Sequence, residues 1–272
     1  MHKRWNASKV IQEIKLLEQS LGRRPVKRDN NSLYNASREF FGTWNSAMKY
    51  AGFKVKTNQV PIMPEKLDDN LAYFLGLLIT DGHIVISKKY KKYNILLFTS
   101  YEEEKEMILT LIRKLFNYNS YVRNRRLGWN KRINHEIHIS AKDLVYLFNL
   151  KYEIRSGNKS LTIRVPDLIF NSSNEIIANF LRGVIDGDGS IKRDCITISS
   201  GSEKFLIDLK VLLDKLNLKS GVISKDRTCY ALNIGRVAGN LLKAYKIFYA
   251  KAEFYYPRKK LSLKSNVFKE LI

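Results

Sequence analysis

Apolar residues recur along this chain with two different periods. In "EEEKEMILTLIRKLF" they fall at 107, 108, 111, 112 and 115, and in "SEKFLIDLKVLLDKLNL" at 205, 206, 209, 212, 213 and 216. Steps of three and four residues predict amphipathic helices. The runs "HIVIS", "NILLFTS", "YNSYVRNRRL" and "NHEIHIS" read as strands, as do "GSIK", "CITISS", "SGVISKD" and "CYALNIG" further on. The segments "AKDLVYLFNL" and "VAGNLLKAYKIF" read as short helices. The order is helix, two strands, helix, two strands, helix, and it occurs twice. The expected class is α+β, two pseudo-symmetric αββαββα halves with an antiparallel sheet in each.

Each half opens on an apolar helix that runs into carboxylates. "YFLGLLITDGHI" (73–84) superposes without a gap on "FLRGVIDGDGSI" (180–191), placing Gly76 on Gly183, Asp81 on Asp188 and Gly82 on Gly189. A repeat of this kind marks a duplicated unit. The carbonyl end of a helix carries partial negative charge and repels carboxylates, so a positive partner is expected there. The plainer alternative is that Gly189 supplies a left-handed helix terminator. Asp186, whose counterpart is Ile79, is expected to serve packing or capping.

Residues 1–55 belong to neither repeat. "RWNASKVIQEIKLLEQSLGRRP" predicts a helix with apolar positions 10, 11, 14, 16 and 17, stopped by Gly22 and Pro25. Two short helices broken at Gly42 follow, so a small all-α module precedes the repeats. Residues 56–67, with two prolines, read as a linker to halves spanning 68–170 and 171–272.

Charge then narrows the class of partner. The chain holds 48 Lys and Arg against 26 Asp and Glu, a formal net charge of +22 in 272 residues. Twelve basic residues against four acidic ones lie in 1–56. Alternation in a strand can make one sheet face basic while the other packs on helices, which suits nucleic acid rather than a membrane surface. Candidate contacts are Arg4, Lys27 and Arg28 in the first module, and Lys88, Lys89, Lys91 and Lys92 around Tyr90 in a strand-to-strand loop. Arg123, Arg125, Arg126, Lys131 and Arg132 follow in "VRNRRLGWNKR", then Lys192, Arg193, Lys225 and Arg227 in the second half. No run approaches the ~20 apolar residues of a membrane span. The N-terminus lacks the apolar core of a secretion signal, so an intracellular protein, in cytoplasm or organelle, is expected. Cys195 and Cys229 read as buried free thiols. "HEIH" (135–138) reads as strand surface, and the His and Cys spacing does not suit zinc.

"FLGLLITDG" (74–82) and "LRGVIDGDG" (181–189) resemble the two signatures of LAGLIDADG homing endonucleases in their single-chain, two-motif form. "LGRRPVKRD" and "FGTWNSAMKYAGF" resemble the helical repeat often appended to such enzymes as a DNA-binding accessory. The resemblance implies that the signature helices pack about a pseudo-two-fold axis, with Gly76 and Gly183 allowing close approach, and bring Asp81 and Asp188 together in a DNA-binding saddle. It implies a monomer that cuts double-stranded DNA with Mg²⁺, or Mn²⁺ in its place, leaving short 3′ overhangs. Asp81 and Asp188 would hold the metal, and a basic residue would assist in each half: Lys159 in the first, Lys259 or Lys260 in the second. The alternatives are an intron maturase whose partner is RNA and a regulator that binds DNA without cutting. The first Met and the absence of a terminal Asn nucleophile argue for a free-standing protein over an intein insert.

Overall fold

The computed structural model describes residues 5–54, 59–127, 132–157, 160–192, 194–235, 237 and 239–270. The chain divides into two compact units, Met1–Gln59 and Val60–Ile272. Of the stretch read as a linker, residues from Val60 onward therefore belong to the second unit, and the Ile62 N–H donates to the Phe116 carbonyl at 2.9 Å.

The first unit is three helices, α1 (Ala7–Leu21), α2 (Asn31–Phe41) and α3 (Trp44–Tyr50). Asn6, Asn30 and Thr43 cap their starts by accepting backbone N–H groups. Gly22 and Gly42 end the first two at φ 60° and 73°, a region costly for any other residue. Val10, Ile14, Leu33, Trp44, Ala47 and Met48 form the core. Leu16, expected on the apolar stripe, is half exposed instead. Between α1 and α2, Arg23 grips Asp29 through both terminal nitrogens at 2.9 Å, and the Val26 N–H donates to the same carboxylate at 2.7 Å. That clip fixes the turn carrying Lys27 and Arg28.

The second unit repeats one plan. The first half contains α4 (Asp69–Thr80), β1 (Gly82–Ser87), β2 (Lys92–Thr99), α5 (Glu102–Phe116), β3 (Tyr121–Leu127), β4 (Arg132–Ile139) and α6 (Lys142–Tyr146). A π-helical turn, Leu147–Lys151, extends α6, and a short α7 (Asp167–Phe170) precedes the second half. There follow α8 (Asn174–Asp188), β5 (Gly189–Ile191), β6 (Cys195–Ser200), α9 (Glu203–Lys215), β7 (Ser224–Asp226), β8 (Cys229–Gly235) and α10 (Asn240–Phe248). The sheets are antiparallel and equivalent, ordered β1-β2-β4-β3 and β5-β6-β8-β7. Each stacks its helices on one face, so Ile95, Leu97, Ile137 and Ile139 meet Ile108, Leu111 and Ile112 in a core continuous with that of the second half.

Four expectations change. A further helix, α11 (Pro257–Glu270), closes the chain where no helix was predicted; its long charged stretch hides the stripe that buries Leu263 and Val267. The pair at 135–136 is buried rather than surface: His135 meets the Asn124 amide oxygen at 2.8 Å and Glu102 at 3.3 Å, and Glu136 meets Arg125 at 2.8 Å. Cys195 is buried, but Cys229, first residue of β8 beside the β7–β8 turn, is exposed. Gly189 caps α8 with an extended backbone (φ −73°, ψ 140°), not a left-handed one. It is small because a Cβ there would lie 2.4 Å from the Ile185 carbonyl oxygen.

Candidate active site

The site is built on the seam between α4 and α8. A Cβ added to Gly76 would stand 2.3 Å from the Phe180 carbonyl oxygen, and one on Gly183 2.2 Å from that of Tyr73. Those distances leave room for hydrogen only, so the two backbones touch and their carbonyl ends finish side by side. Asp81 follows the last residue of α4, with its N–H donated to the Leu77 carbonyl. Asp188 is the last residue of α8 and is exposed. A Cβ on Gly187 would sit 2.1 Å from Thr80 Oγ1 and 3.4 Å from Asp81 Oδ2. The carboxylate of one signature thus lies over the backbone of the other, one residue from Asp188.

Electrostatics records this crowding. The Asp81 carboxyl is pushed up to about 7, first by burial, then by Asp188 and Glu104, against the opposing pull of Lys259 and Arg258. Two acids at two helix carbonyl ends disfavour each other's ionised form. The protein supplies part of the positive partner itself. Lys259 on α11 is buried and donates its ammonium to the Gly189 carbonyl, and burial followed by Arg258 draws its proton affinity down.

Asp186 does different work. Fully buried, it accepts from the Tyr73 and Tyr249 hydroxyls at 2.7 Å each and from the Tyr256 N–H at 2.9 Å. Burial raises its carboxyl to about 6, and those three donors and Arg182 hold it from rising further. It joins α4, α8, α10 and the approach to α11, behind the face where Asp81 and Asp188 lie.

Residues 175–246 match the LAGLIDADG-like domain family. The I-DmoI homing endonuclease, in a structure of its mesophilic variants, superposes with a TM-score of 0.56 over 74% of this chain and 100% of that one, at 19% identity. I-WcaI bound to its DNA recognition sequence superposes with a TM-score of 0.53 over 74% and 88%, at 16% identity. The second half of this chain thus matches a LAGLIDADG-like domain, and the chain shares the fold of these endonuclease structures. Curated relatives include a probable translation initiation factor IF-2 of Thermococcus kodakarensis, 33% identical over 110 residues, and a DNA polymerase of Methanocaldococcus jannaschii, 25% identical over 178. These alignments cover 40% and 65% of this chain but 10% of each relative, so the chain spans a tenth of their length.

The two sheets distribute the basic residues unevenly. Lys88, Lys89 and Lys91 are exposed in the turn between β1 and β2, where Lys91 adopts φ 49° and Lys92 opens β2. Lys192 is exposed after β5, and Lys225 and Arg227 around the β7–β8 turn. Arg123 and Arg125 share one face of β3. By alternation Arg126 lies on the other, with Val122 and with Asn124, which holds His135, so it does not belong to the open face with them. Arg4, Lys131, Lys159 and Arg193, and the side chain of Arg132, lie outside the described residues. No helix among the described residues is long and apolar enough to cross a membrane.

Two residues at the site carry no clear mark in the sequence. Glu104 of α5 is buried, accepts the Thr99 hydroxyl at 2.6 Å and receives Arg258 Nε at 2.6 Å. Three consecutive glutamates at a helix start look like a solvated first turn. The one signal against that is that 104 lies on the stripe of 108, 111 and 112. Arg258 sits in a basic run beside two lysines from which its residue type alone does not separate it.

Proposed function

We propose that this protein is a LAGLIDADG endonuclease, site-specific and metal-dependent, that makes a double-strand break in DNA at a long target. The observation that carries the reading is the pair Asp81 and Asp188, set together at the ends of two helices packed through Gly76 and Gly183, with a buried lysine beside them. A site used only to bind DNA has no need of paired carboxylates, which repel phosphate.

The donor chemistry fits a hard divalent cation: two carboxylates, one of them pushed up to about 7 by burial first and by its neighbour second. Among the described residues no three His, Cys, Asp or Glu side chains gather, so the remaining ligands would be DNA phosphate oxygens and water, as Mg²⁺ prefers and Mn²⁺ accepts. I-DmoI has been crystallised with DNA and Mn, a precedent for that ion set. Bound there, the cation would activate water and neutralise charge on the phosphate. Asp81 would serve one strand and Asp188 the other. Lys259, fixed on the Gly189 carbonyl, would hold positive charge beside both, and Lys159 is proposed for the first half. Lys88, Lys89, Arg123, Arg125, Lys192 and Lys225 would bind the duplex through the open sheet faces, and residues 1–55 would add contacts outside the centre. Since one chain carries both signatures, the active species would be a monomer.

The test is cleavage of a randomised duplex library in Mg²⁺, with the new ends sequenced. Recurrent paired ends with short 3′ overhangs are expected. Ends no more frequent than those left by the Asp81→Asn, Asp188→Asn double variant would overturn the reading.

A further inference from the structure

The two halves tie themselves together through reciprocal straps, and the straps are not equivalent. The segment leaving the first half reaches α9 of the second: Arg164 donates Nε and Nη2 to Asp208 at 2.5 and 2.8 Å, the Val165 N–H adds a third bond at 3.1 Å, and the Ser202 hydroxyl donates to the Ile163 carbonyl at 2.9 Å. The segment ending the second half reaches α5 of the first, where Arg258 donates Nε to Glu104. The first tie is closed, since its guanidinium spends two nitrogens on one carboxylate. In the second only Nε is used, and among the described residues the two terminal nitrogens make no hydrogen bond, although the side chain is 41% exposed.

Glu104 is not required by the fold. The Tyr101 N–H donates to Thr99 Oγ1 at 3.2 Å as the Ser202 N–H donates to Ser200 Oγ at 3.1 Å, which aligns the starts of α5 and α9 and puts Glu104 opposite Phe205. Phe205 is fully buried, so the repeat is satisfied by a hydrocarbon at this position. A buried carboxylate is costly unless it is paired. Here one oxygen accepts the Thr99 hydroxyl and the other holds the Arg258 guanidinium, which also lies 4.6 Å over the Tyr101 ring and 5.7 Å from that of Tyr256. Neighbouring Lys260 is stacked 4.1 Å over Tyr255. The tie lies beside Asp81: the Phe98 N–H donates to the Asp81 carbonyl at 3.3 Å, the next residue, Thr99, donates its hydroxyl to Glu104, and Lys259, next to Arg258, donates to the Gly189 carbonyl.

We propose that Arg258, oriented by Glu104, is a further catalytic residue whose two terminal nitrogens contact the scissile phosphate handled at Asp81, so that the first half's centre is completed by the second half's tail. This rests on the endonuclease reading. A planar fork with its inner nitrogen fixed and its outer two open suits two phosphate oxygens, which a lysine ammonium cannot span in the same way. Glu104 is then a positioning residue.

The experiment is strand-resolved cleavage, in Mg²⁺, of the duplex recovered from the randomised library, with each strand labelled separately. Wild type is compared with Arg258→Gln, Arg258→Lys, Glu104→Gln and Arg164→Gln, the last being the control for a tie between halves. Arg258→Gln is expected to slow nicking at the Asp81 strand by about 100-fold while the Asp188 strand changes by less than about 3-fold, so that nicked duplex accumulates. Glu104→Gln should lower kcat for that same strand with KM unchanged. Arg258→Lys keeps the charge and the fold and should show the same strand bias, which covers the case of Arg258→Gln failing to fold. Equal slowing of both strands, matched by Arg164→Gln, would make Arg258 a tie only and overturn the proposal, as would wild-type cutting by Arg258→Gln. Wild type that cuts no duplex would instead remove the endonuclease reading itself.

Discussion

Replacing Asp81 by Asn should make the protein more stable while ending its cleavage of one strand. The Asp81 carboxyl lies at about 7 in the folded chain against 3.8 when unperturbed, and each unit is worth about 1.36 kcal/mol. A folded-state value above the unfolded one means that stability is fully present below about pH 3.8 and is lost as pH rises through about 7. At pH 7 the full shift would amount to about 4 kcal/mol; because the group is partly exposed, solvent screening reduces that to about 2 kcal/mol. Asn has the same shape and carries no charge. Thermal and urea unfolding at pH 4 and pH 7, followed by circular dichroism, should show the variant more stable at pH 7, by an increment of about 4–8 °C in Tm, and the difference should shrink towards pH 4. Millimolar Mg²⁺ should narrow the gap by stabilising wild type alone, since a ligand of the native state raises its stability. A variant less stable than wild type at pH 7, or a difference that does not depend on pH, would refute the claim that Asp81 is held against its own electrostatic preference.

Gly183→Ala should destabilise the second unit by about 3 kcal/mol or more and lower cutting of both strands, because its Cβ would lie 2.2 Å from the Tyr73 carbonyl oxygen and the helices must part; a denaturant midpoint unchanged from wild type would count against the seam. Asp186→Ala leaves the Tyr73 and Tyr249 hydroxyls and the Tyr256 N–H without their acceptor and should cost about 3 kcal/mol or more, whereas Asp186→Asn should still cut both strands. Loss of cutting in Asp186→Asn, with double-strand breaks persisting in the Asp81→Asn, Asp188→Asn protein, would reverse the assignment of the acids. Deleting residues 1–59 should weaken DNA binding and reduce the slope of log affinity against log salt by about 0.9 for each phosphate the module had neutralised, while the second unit still cuts at higher enzyme concentration; an unchanged slope would make the module a cap.

How much of this architecture is legible in the sequence follows from how far its signals reach. Helical and strand periods are local, and the gapless match of 73–84 with 180–191 places Asp81 and Asp188 in equivalent positions without any knowledge of the fold. Glycine at 76 and 183 is readable for the same reason: a residue without a side chain in the middle of an apolar helix asks for a close neighbour, and the repeat supplies one. The end of the chain resists. In α11 the apolar positions 263 and 267 are too few to mark a stripe among lysines, and what that helix does depends on partners far away in sequence. Arg258 and Glu104 lie 154 residues apart, beyond any period. Asp186 likewise draws on tyrosines 113, 63 and 70 residues away, so that its role can be read only as packing. Yet the repeat does hold a trace of Glu104. Aligning the starts of α5 and α9 sets a carboxylate on an apolar stripe opposite a phenylalanine, a local choice that contradicts the fold around it. Such conflicts concentrate where a protein accepts lower stability in exchange for chemistry, and in a duplicated sequence they can be found by asking which half departs from the other at a buried position.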